Sequence, residues 1–238
     1  MLYSPASMLD LSAIRAIGLD LDDTLWPIWP TIERAELQLQ RWLEPRAPIT
    51  RIIFSKPDER LALRSDVLRG RPELGHDLSA LRLECLREGL RRSDEDSSLA
   101  EAAFEVFLEH RMRVDLFDDA LPALEFLASR YPVVAITNGN ADLRRVGIFA
   151  HFKASLSARH VGVAKPDPAI FHAAAAAVGV LAHQVLHIGD DPLLDVMGGL
   201  GAGMQTAWIN RSGKAWSHPA APHASVTDLG ALCRLLEP

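Results

Sequence analysis

At 238 residues the chain has room for one large domain or two smaller ones, and its 48% hydrophobic and 24% charged residues suit a globular protein with a real core. A net charge of −6 and the lack of any sizeable basic face argue against nucleic-acid binding; the arginine pairs at 91–92 and 144–145 sit among acids or apolar residues and read as solvated helix faces. Two distant cysteines, Cys85 and Cys233, build no disulfide framework, the N-terminus lacks the basic start and apolar run of a signal peptide, and the longest nearly uncharged apolar stretch, 173–182, is too short to span a bilayer, so the expectation is a cytoplasmic protein with reduced thiols.

In chain order, residues 14–20 (IRAIGLD) are apolar and end in an acidic cluster, the pattern of a buried strand entering a polar loop. The next core strand is 132–136 (PVVAI), followed by TNGN; further strands are expected at 185–188, followed by GDD, at 204–209, and at 224–226. Helical patterns separate them. Asp118 is expected to cap a helix over 119–130 with Leu121, Leu124, Phe126 and Leu127 inward; Pro168 starts one over 168–178; 192–201 reads as a short helix; Asp228 caps a last helix ending near Leu236. This alternation predicts an α/β fold, a doubly wound parallel sheet with helices on both faces. Residues 27–115 break it. They read mostly as helix, over 31–43, 57–69, 77–92 and 98–112, with Thr31, Asp77 and Ser97 as caps, and so as a helical insert on a core of 1–26 and 116–238.

Four polar clusters follow or border the predicted strands, where ligands of open α/β sheets bind. Asp20-Leu21-Asp22-Asp23-Thr24 packs three carboxylates into four residues behind an apolar strand, a costly arrangement unless a cation neutralises it. Read without the other clusters, it is also compatible with an acidic turn or a helix cap. Thr137-Asn138-Gly139-Asn140 offers a hydroxyl, an amide and backbone N–H groups suited to phosphate oxygens, and equally a simple turn. Lys165-Pro166 supplies a cation at a loop edge. Gly189-Asp190-Asp191-Pro192-Leu193-Leu194-Asp195 again follows a strand with acids, and Asp191 before Pro192 also suits a helix cap. His187 reads as a packed, hydrogen-bonded strand histidine.

Taken together, DLDDT at 20–24, ITN at 136–138, Lys165-Pro166 within VGVAKPDPAIF (161–171), and GDDPLLD at 189–195 within HIGDDPLLDVMGGLGAGM (187–204) make the chain resemble the haloacid dehalogenase superfamily over nearly its whole length. The resemblance implies a Rossmann-like core and an inserted helical cap. It implies a phosphatase in which Asp20 is the nucleophile and Asp22 the general acid and base. Mg²⁺ would be held by the Asp20 carboxylate, the Asp22 carbonyl and the Asp190 carboxylate. Thr137, Asn138 and Gly139 would bind phosphate with Lys165, which also neutralises Asp20, while Asp195 or Asp191 acts from behind, on metal waters or on Lys165.

Dehalogenases of this superfamily lack the second aspartate of the first motif, so Asp22 and Asp190 point away from that chemistry. A phosphomutase retains both aspartates and stays open. A non-catalytic phospho-ligand binding protein would have lost a nucleophile, acid or ligand, and none is lost. The stretch Trp26-Pro27-Ile28-Trp29-Pro30 resembles the start of small-molecule phosphatases, including ones acting on flavin mononucleotide or its precursors; Trp26 or Trp29 is read as lining the site entrance and stacking on a ring, or as bracing the hinge. Sugar phosphates and nucleoside monophosphates remain open as substrates. No stretch of the sequence marks a subunit interface.

Overall fold

The computed structural model describes residues 8–237, so the start of the chain, over which the sequence reads no signal peptide, lies outside the described residues. After β1 (Ala16–Leu19) the chain runs through α1 (Ile28–Leu43), α2 (Pro48–Ser55), α3 (Pro57–Gly70), α4 (Leu78–Arg92) and α5 (Ala100–Arg111). It continues with α6 (Ala120–Ala128), β2 (Val133–Thr137), α7 (Leu143–Val146), β3 (Ala154–Ser157), α8 (Ala158–Val161) and α9 (Pro168–Ala177). β4 (Val185–Gly189), α10 (Gly198–Gly201), β5 (Gln205–Ile209), β6 (Ala224–Val226) and α11 (Leu229–Leu235) complete it. Among the described residues no helix is long and apolar enough to cross a membrane.

These elements form two compact units, each considered by itself: an α/β unit of Met1–Pro27, Leu116–Gly139 and Gly147–Pro238, and a helical unit of Ile28–Asp115 with Asn140–Val146. The sheet of the α/β unit has the order β3-β2-β1-β4-β5-β6 and is parallel throughout. β1 lies at its centre, flanked by β2 and β4, and all residues of β1, β2, β4 and β5 are buried. Their unbroken apolar runs follow from helices covering both faces. The chain winds from β1 outward to β3, then crosses over to β4. That reversal opens a crevice beyond the carboxyl ends of β1 and β4, the place where ligands bind in such sheets.

The expected parallel α/β sheet is therefore present, with one strand that sequence reading passed over. β3 (ASLS) is a half-buried edge strand with no strongly apolar signal, held by its pairing with β2. α6 also differs from expectation. It starts at Ala120 with Asp119, not Asp118, at its N-cap position, and Leu121 is 41% exposed rather than inward. Asp119 makes no capping bond to the helix because its carboxylate accepts from Arg211 at 3.0 Å and from the Leu229 N–H at 2.6 Å.

In the helical unit, Ala35, Leu39, Leu43, Phe54, Leu63, Leu86, Leu90, Ala103 and Phe107 form one apolar core. α2 (PITRIIFS) was not anticipated, since its β-branched run does not favour helix. Its first N–H groups, at Ile49 and Thr50, donate to the two carboxylate oxygens of Glu95 at 2.9 and 2.8 Å, a cap supplied 45 residues along the chain. Asp77 caps α4 as expected. Residues 140–146 join this unit, whereas the sequence reading confined it to 27–115: Asn140 Nδ2 donates to Ser79 Oγ at 3.2 Å and Arg145 pairs with Glu105 at 2.9 Å.

The core of the helical unit also contains a carboxylate. Glu36, its side chain 7% exposed, pairs with Arg82 at 2.8 Å, and the Arg82 guanidinium lies 3.7 Å from the Phe107 ring centroid. Removing one member of such a pair strands the other. Glu36→Ala is expected to lower stability by about 3 kcal/mol, read as a lower urea midpoint; an unchanged midpoint would mean that solvent already serves Arg82.

Candidate active site

Four loops at the carboxyl ends of β1, β2 and β4 and before α9 converge on one cavity of about 180 Å³. Asp20, Asp22, Asp23, Thr137, Asn138, Gly139, Lys165, Asp190, Asp191 and Asp195 line it, so the catalytic, phosphate and metal candidates of the sequence meet in a single place.

The loop after β1 makes a tight turn. Asp23 adopts a φ of 61°, a left-handed conformation that aspartate tolerates better than most residues, and its N–H donates to the Trp26 carbonyl at 2.8 Å. The turn returns Thr24 to Asp20. The single Thr24 hydroxyl lies 3.2 Å from Asp20 Oδ2 and 3.3 Å from Asp190 Oδ1, and so bridges the ends of β1 and β4.

Lys165 is buried and shared. Its Nζ donates to Asp20 Oδ1 at 2.5 Å and to Asp195 Oδ1 at 2.6 Å. Its backbone is held by Asn138, whose side-chain oxygen accepts from the Lys165 N–H at 2.7 Å while its Nδ2 donates to the Lys165 carbonyl at 2.9 Å. The Asn138 amide is thus spent on placing the lysine, which leaves backbone groups to face an anion. Thr137 Oγ1 accepts from the Gly139 N–H at 2.9 Å, so its own proton is free to point elsewhere.

Asp195 is brought in by an irregular turn. The Asp191 carbonyl accepts from both Asp195 and Val196, at 3.0 and 3.2 Å, a π-type widening of 192–197. Gly189 makes room for the result: a Cβ there would sit 2.2 Å from Asp195 Cγ. The two acids behind the site have separate tasks. Asp195 Oδ1 accepts from Lys165 and faces His187 Nε2 at 2.9 Å, and its Oδ2 accepts the Asp191 N–H at 3.1 Å. Asp191 caps the helical turn instead, Oδ1 accepting from Leu193 and Leu194 at 2.8 Å each.

The charges do not balance. Asp20, Asp190 and Asp195 place ligand oxygens within 4.8 Å of one another, with one ammonium among them. Burial, with Asp195 and Asp190 adding to it, pushes Asp20 well above the usual carboxylate range despite Lys165. Burial and the neighbouring Asp195, Asp23 and Asp191 push Asp190 up to about 7. For Asp195, burial is outweighed by Lys165 and His187, and its carboxyl falls to about 2. His187 is lowered by burial, which keeps the ring neutral and suits an Nε2–H donating to Asp195. Both Asp195 oxygens accept from buried donors, Lys165, His187 and the Asp191 N–H, whereas Asp20 Oδ2 and Asp190 Oδ1 share the single Thr24 hydroxyl, whose one proton serves only one of them, so Asp20 and Asp190 are the carboxylates best placed to hold a cation. An all-oxygen donor set with excess negative charge fits a hard divalent ion.

Two residues acquire parts that sequence reading did not assign. His187 is the packed, hydrogen-bonded strand histidine that the sequence implies, fully buried, and its bond goes to the carboxylate that orients Lys165, a supporting part the sequence does not assign. Only the proximity of a histidine on a strand to an acidic loop signals this. Trp26, read either as lining the entrance and stacking on a ring or as bracing the hinge, is fully buried, and its indole N–H donates to Asp22 Oδ1 at 2.8 Å, so it presents no face for stacking. Trp29 is 69% exposed.

A profile of the haloacid dehalogenase-like hydrolases matches residues 14–203. The chain belongs to that family. This hydrolase is 32% identical over 234 residues to Escherichia coli K12 YigB, a 5-amino-6-(5-phospho-D-ribitylamino)uracil phosphatase, covering 95% of this chain and 98% of YigB. It is 33% identical over 149 residues to the phosphoserine phosphatase of Thermus thermophilus, 60% of each chain. A crystal structure of 2-haloacid dehalogenase from Pseudomonas syringae pv. tomato DC3000 superposes with a TM-score of 0.88 at 39% identity, covering 94% of this chain and 98% of that one.

Two outcomes are expected. Gly189→Ala forces Asp195 aside and with it Lys165, and ester turnover is expected to fall about a hundredfold, the scale of a displacement near 1 Å, with the circular dichroism spectrum retained; near-normal turnover would mean that the carboxylate relocates harmlessly. The second concerns pH. With Asp190 at about 7 in the fold against an ordinary 3.8, its contribution to stability is complete below the ordinary value and is lost as pH rises through 7. A divalent cation held by Asp190 would need the deprotonated carboxylate and would reverse that loss. Saturating Mg²⁺ should therefore raise the melting temperature more at about pH 8 than at about pH 5.5, and equal shifts would exclude Asp190 as a ligand.

Proposed function

We propose that this hydrolase is a magnesium-dependent phosphatase of a small-molecule phosphate monoester, working through an aspartyl-phosphate on Asp20. The observation that carries the reading is the Asp20 carboxylate, anchored by Lys165 at 2.5 Å in the cavity that Asp22 and Thr137 also line. In the first step an Asp20 oxygen bonds to phosphorus as the bond from phosphorus to the ester oxygen breaks, and Asp22 gives that oxygen a proton. In the second, water attacks phosphorus, its proton passes to Asp22, and the bond to Asp20 breaks to release phosphate. Lys165 offsets charge on Asp20 and on the transferring group. Thr137 Oγ1–H and the backbone N–H of Asn138 bind phosphate oxygens, while the Gly139 N–H holds Thr137 Oγ1 in place. Mg²⁺, held by Asp20, the Asp22 carbonyl and Asp190, would supply positive charge that lets an anionic nucleophile meet an anionic ester. Likeness to YigB over nearly both chains favours, as substrate, the phosphate of a polyol that carries a heterocycle.

The likeness to a structure described as a haloacid dehalogenase supports a second reading. Displacement of halide from carbon needs no proton donor, because halide leaves as an anion. That chemistry gives Asp22 and the excess charge around Asp190 no task, so the phosphatase is preferred.

The test is phosphate release from a panel of monoesters with Mg²⁺, alongside chloride release from 2-chloropropionate. Wild type is expected to hydrolyse the esters and not the haloacid. EDTA and Asp20→Asn, which keeps shape but removes the nucleophile, are expected to lower turnover at least about a thousandfold. Chloride release, or full activity of Asp20→Asn, would defeat the proposal.

A further inference from the structure

We infer that Trp26 is a positioning residue for the acid and base, its indole N–H setting the orientation from which Asp22 reaches the leaving oxygen. The inference rests on the phosphatase reading above. The geometry supports it at three levels. The indole Nε1 lies 2.8 Å from Asp22 Oδ1 and the Trp26 side chain is fully buried, so the donor is shielded from water and does not wander.

The backbone beneath it is fixed as well. Asp22 and Trp26 form a β-bridge, the Asp23 N–H meets the Trp26 carbonyl at 2.8 Å, and the Leu25 N–H meets the Leu21 carbonyl at 2.8 Å. The neighbouring carbonyls are pinned from outside the loop: Leu25 accepts the Phe117 N–H at 2.9 Å and Thr24 accepts Arg211 at 3.1 Å.

The chemistry of the donor completes the case. A buried indole N–H needs an acceptor, and indole is a donor only. It holds Oδ1 without competing for the proton that Asp22 must pass, and it disfavours that proton on Oδ1, which assigns the transfer to Oδ2. As the Asp20–phosphorus bond forms and the bond to the ester oxygen breaks, the electron pair stays on that oxygen and the proton from Asp22 neutralises it. The need for this proton grows with the basicity of the leaving alcohol. A defect in Asp22 placement should therefore be felt by an alkyl ester and largely spared for an aryl ester, whereas a packing defect would lower both.

The experiment compares wild type and Trp26→Phe, which keeps a buried ring and loses the N–H, on glycerol phosphate and p-nitrophenyl phosphate. The readout is kcat/KM, which reports events up to departure of the first product. Trp26→Phe is expected to lose about tenfold or more on the alkyl ester and less than about threefold on the aryl ester. Equal losses on the two esters, or none on either, would overturn the inference and leave the phosphatase reading standing. A wild type inactive on both, or an Asp20→Asn variant as active as wild type, would overturn the phosphatase reading itself. A second measurement needs no substitution of Trp26. In protein labelled with ¹⁵N-tryptophan, Asp22→Asn is expected to move one indole N–H resonance among the five tryptophans; five unmoved resonances would overturn the inference whatever the fate of the Phe variant.

Discussion

A single ammonium shared by two buried carboxylates organises this protein. Lys165 Nζ stands 2.5 Å from Asp20 and 2.6 Å from Asp195, and all three side chains are almost wholly withdrawn from water. Burying ions costs several kcal/mol each, and attraction recovers this only when geometry and further hydrogen bonds are good. The surroundings supply them: Asn138 holds the lysine backbone from both sides, His187 and the Asp191 N–H hold Asp195, and Thr24 meets Asp20. Asn138, Asp191 and Thr24 sit on the turns that follow strands, and His187 sits within β4. The sheet therefore acts as a jig, with register converted into side-chain position.

The jig works because β1 lies between β2 and β4. Leu19 pairs with Ala135 on one side and Ile188 on the other, so the three polar loops begin close together, β4 running on to Gly189 and β2 to Thr137. A one-residue slip in either pairing would turn Asp20 or Asp190 away from the crevice. Close approach behind the loops adds a second constraint. A Cβ at Gly18 would lie 3.0 Å from His187 Nδ1, and at Gly189 it would overlap Asp195, so both strands lack a side chain where the lysine's support passes. The surplus negative charge that remains suits a cation, and Asp20 and Asp190, both raised by burial and by neighbouring carboxylates, are where one would gain most.

Much of this was legible in the chain. Apolar runs located β1, β2, β4 and β5, those of β1 and β4 ending in acids, and the four polar clusters already named the residues that line the cavity. What escaped reading was decided by distant partners. α2 is capped by Glu95, Asp119 is diverted from its helix by Arg211, and β3 exists because β2 offers it an edge. Trp26 and Trp29 look alike in sequence, yet one is fully buried and the other 69% exposed, because a hydrophobic ring carrying one donor satisfies either reading until its acceptor is known. The division between Asp191 and Asp195 likewise depended on a widened turn that no residue pattern announces.

The hydrogen bond from the Phe117 N–H to the Leu25 carbonyl, together with Arg211 reaching Thr24 and Asp119 and stacking over Phe117 at 3.9 Å, has a bearing on how such a chain can diversify. These contacts tie the point where the chain leaves the α/β unit to the point where it returns. Everything threaded between them is, to the sheet, a loop with its ends already joined. The entropy of closing a loop rises only with the logarithm of its length. Lengthening, shortening or exchanging the intervening helices thus changes little for Asp20 and its neighbours, and descent can rework the inserted helices while the sheet and its polar loops are inherited intact.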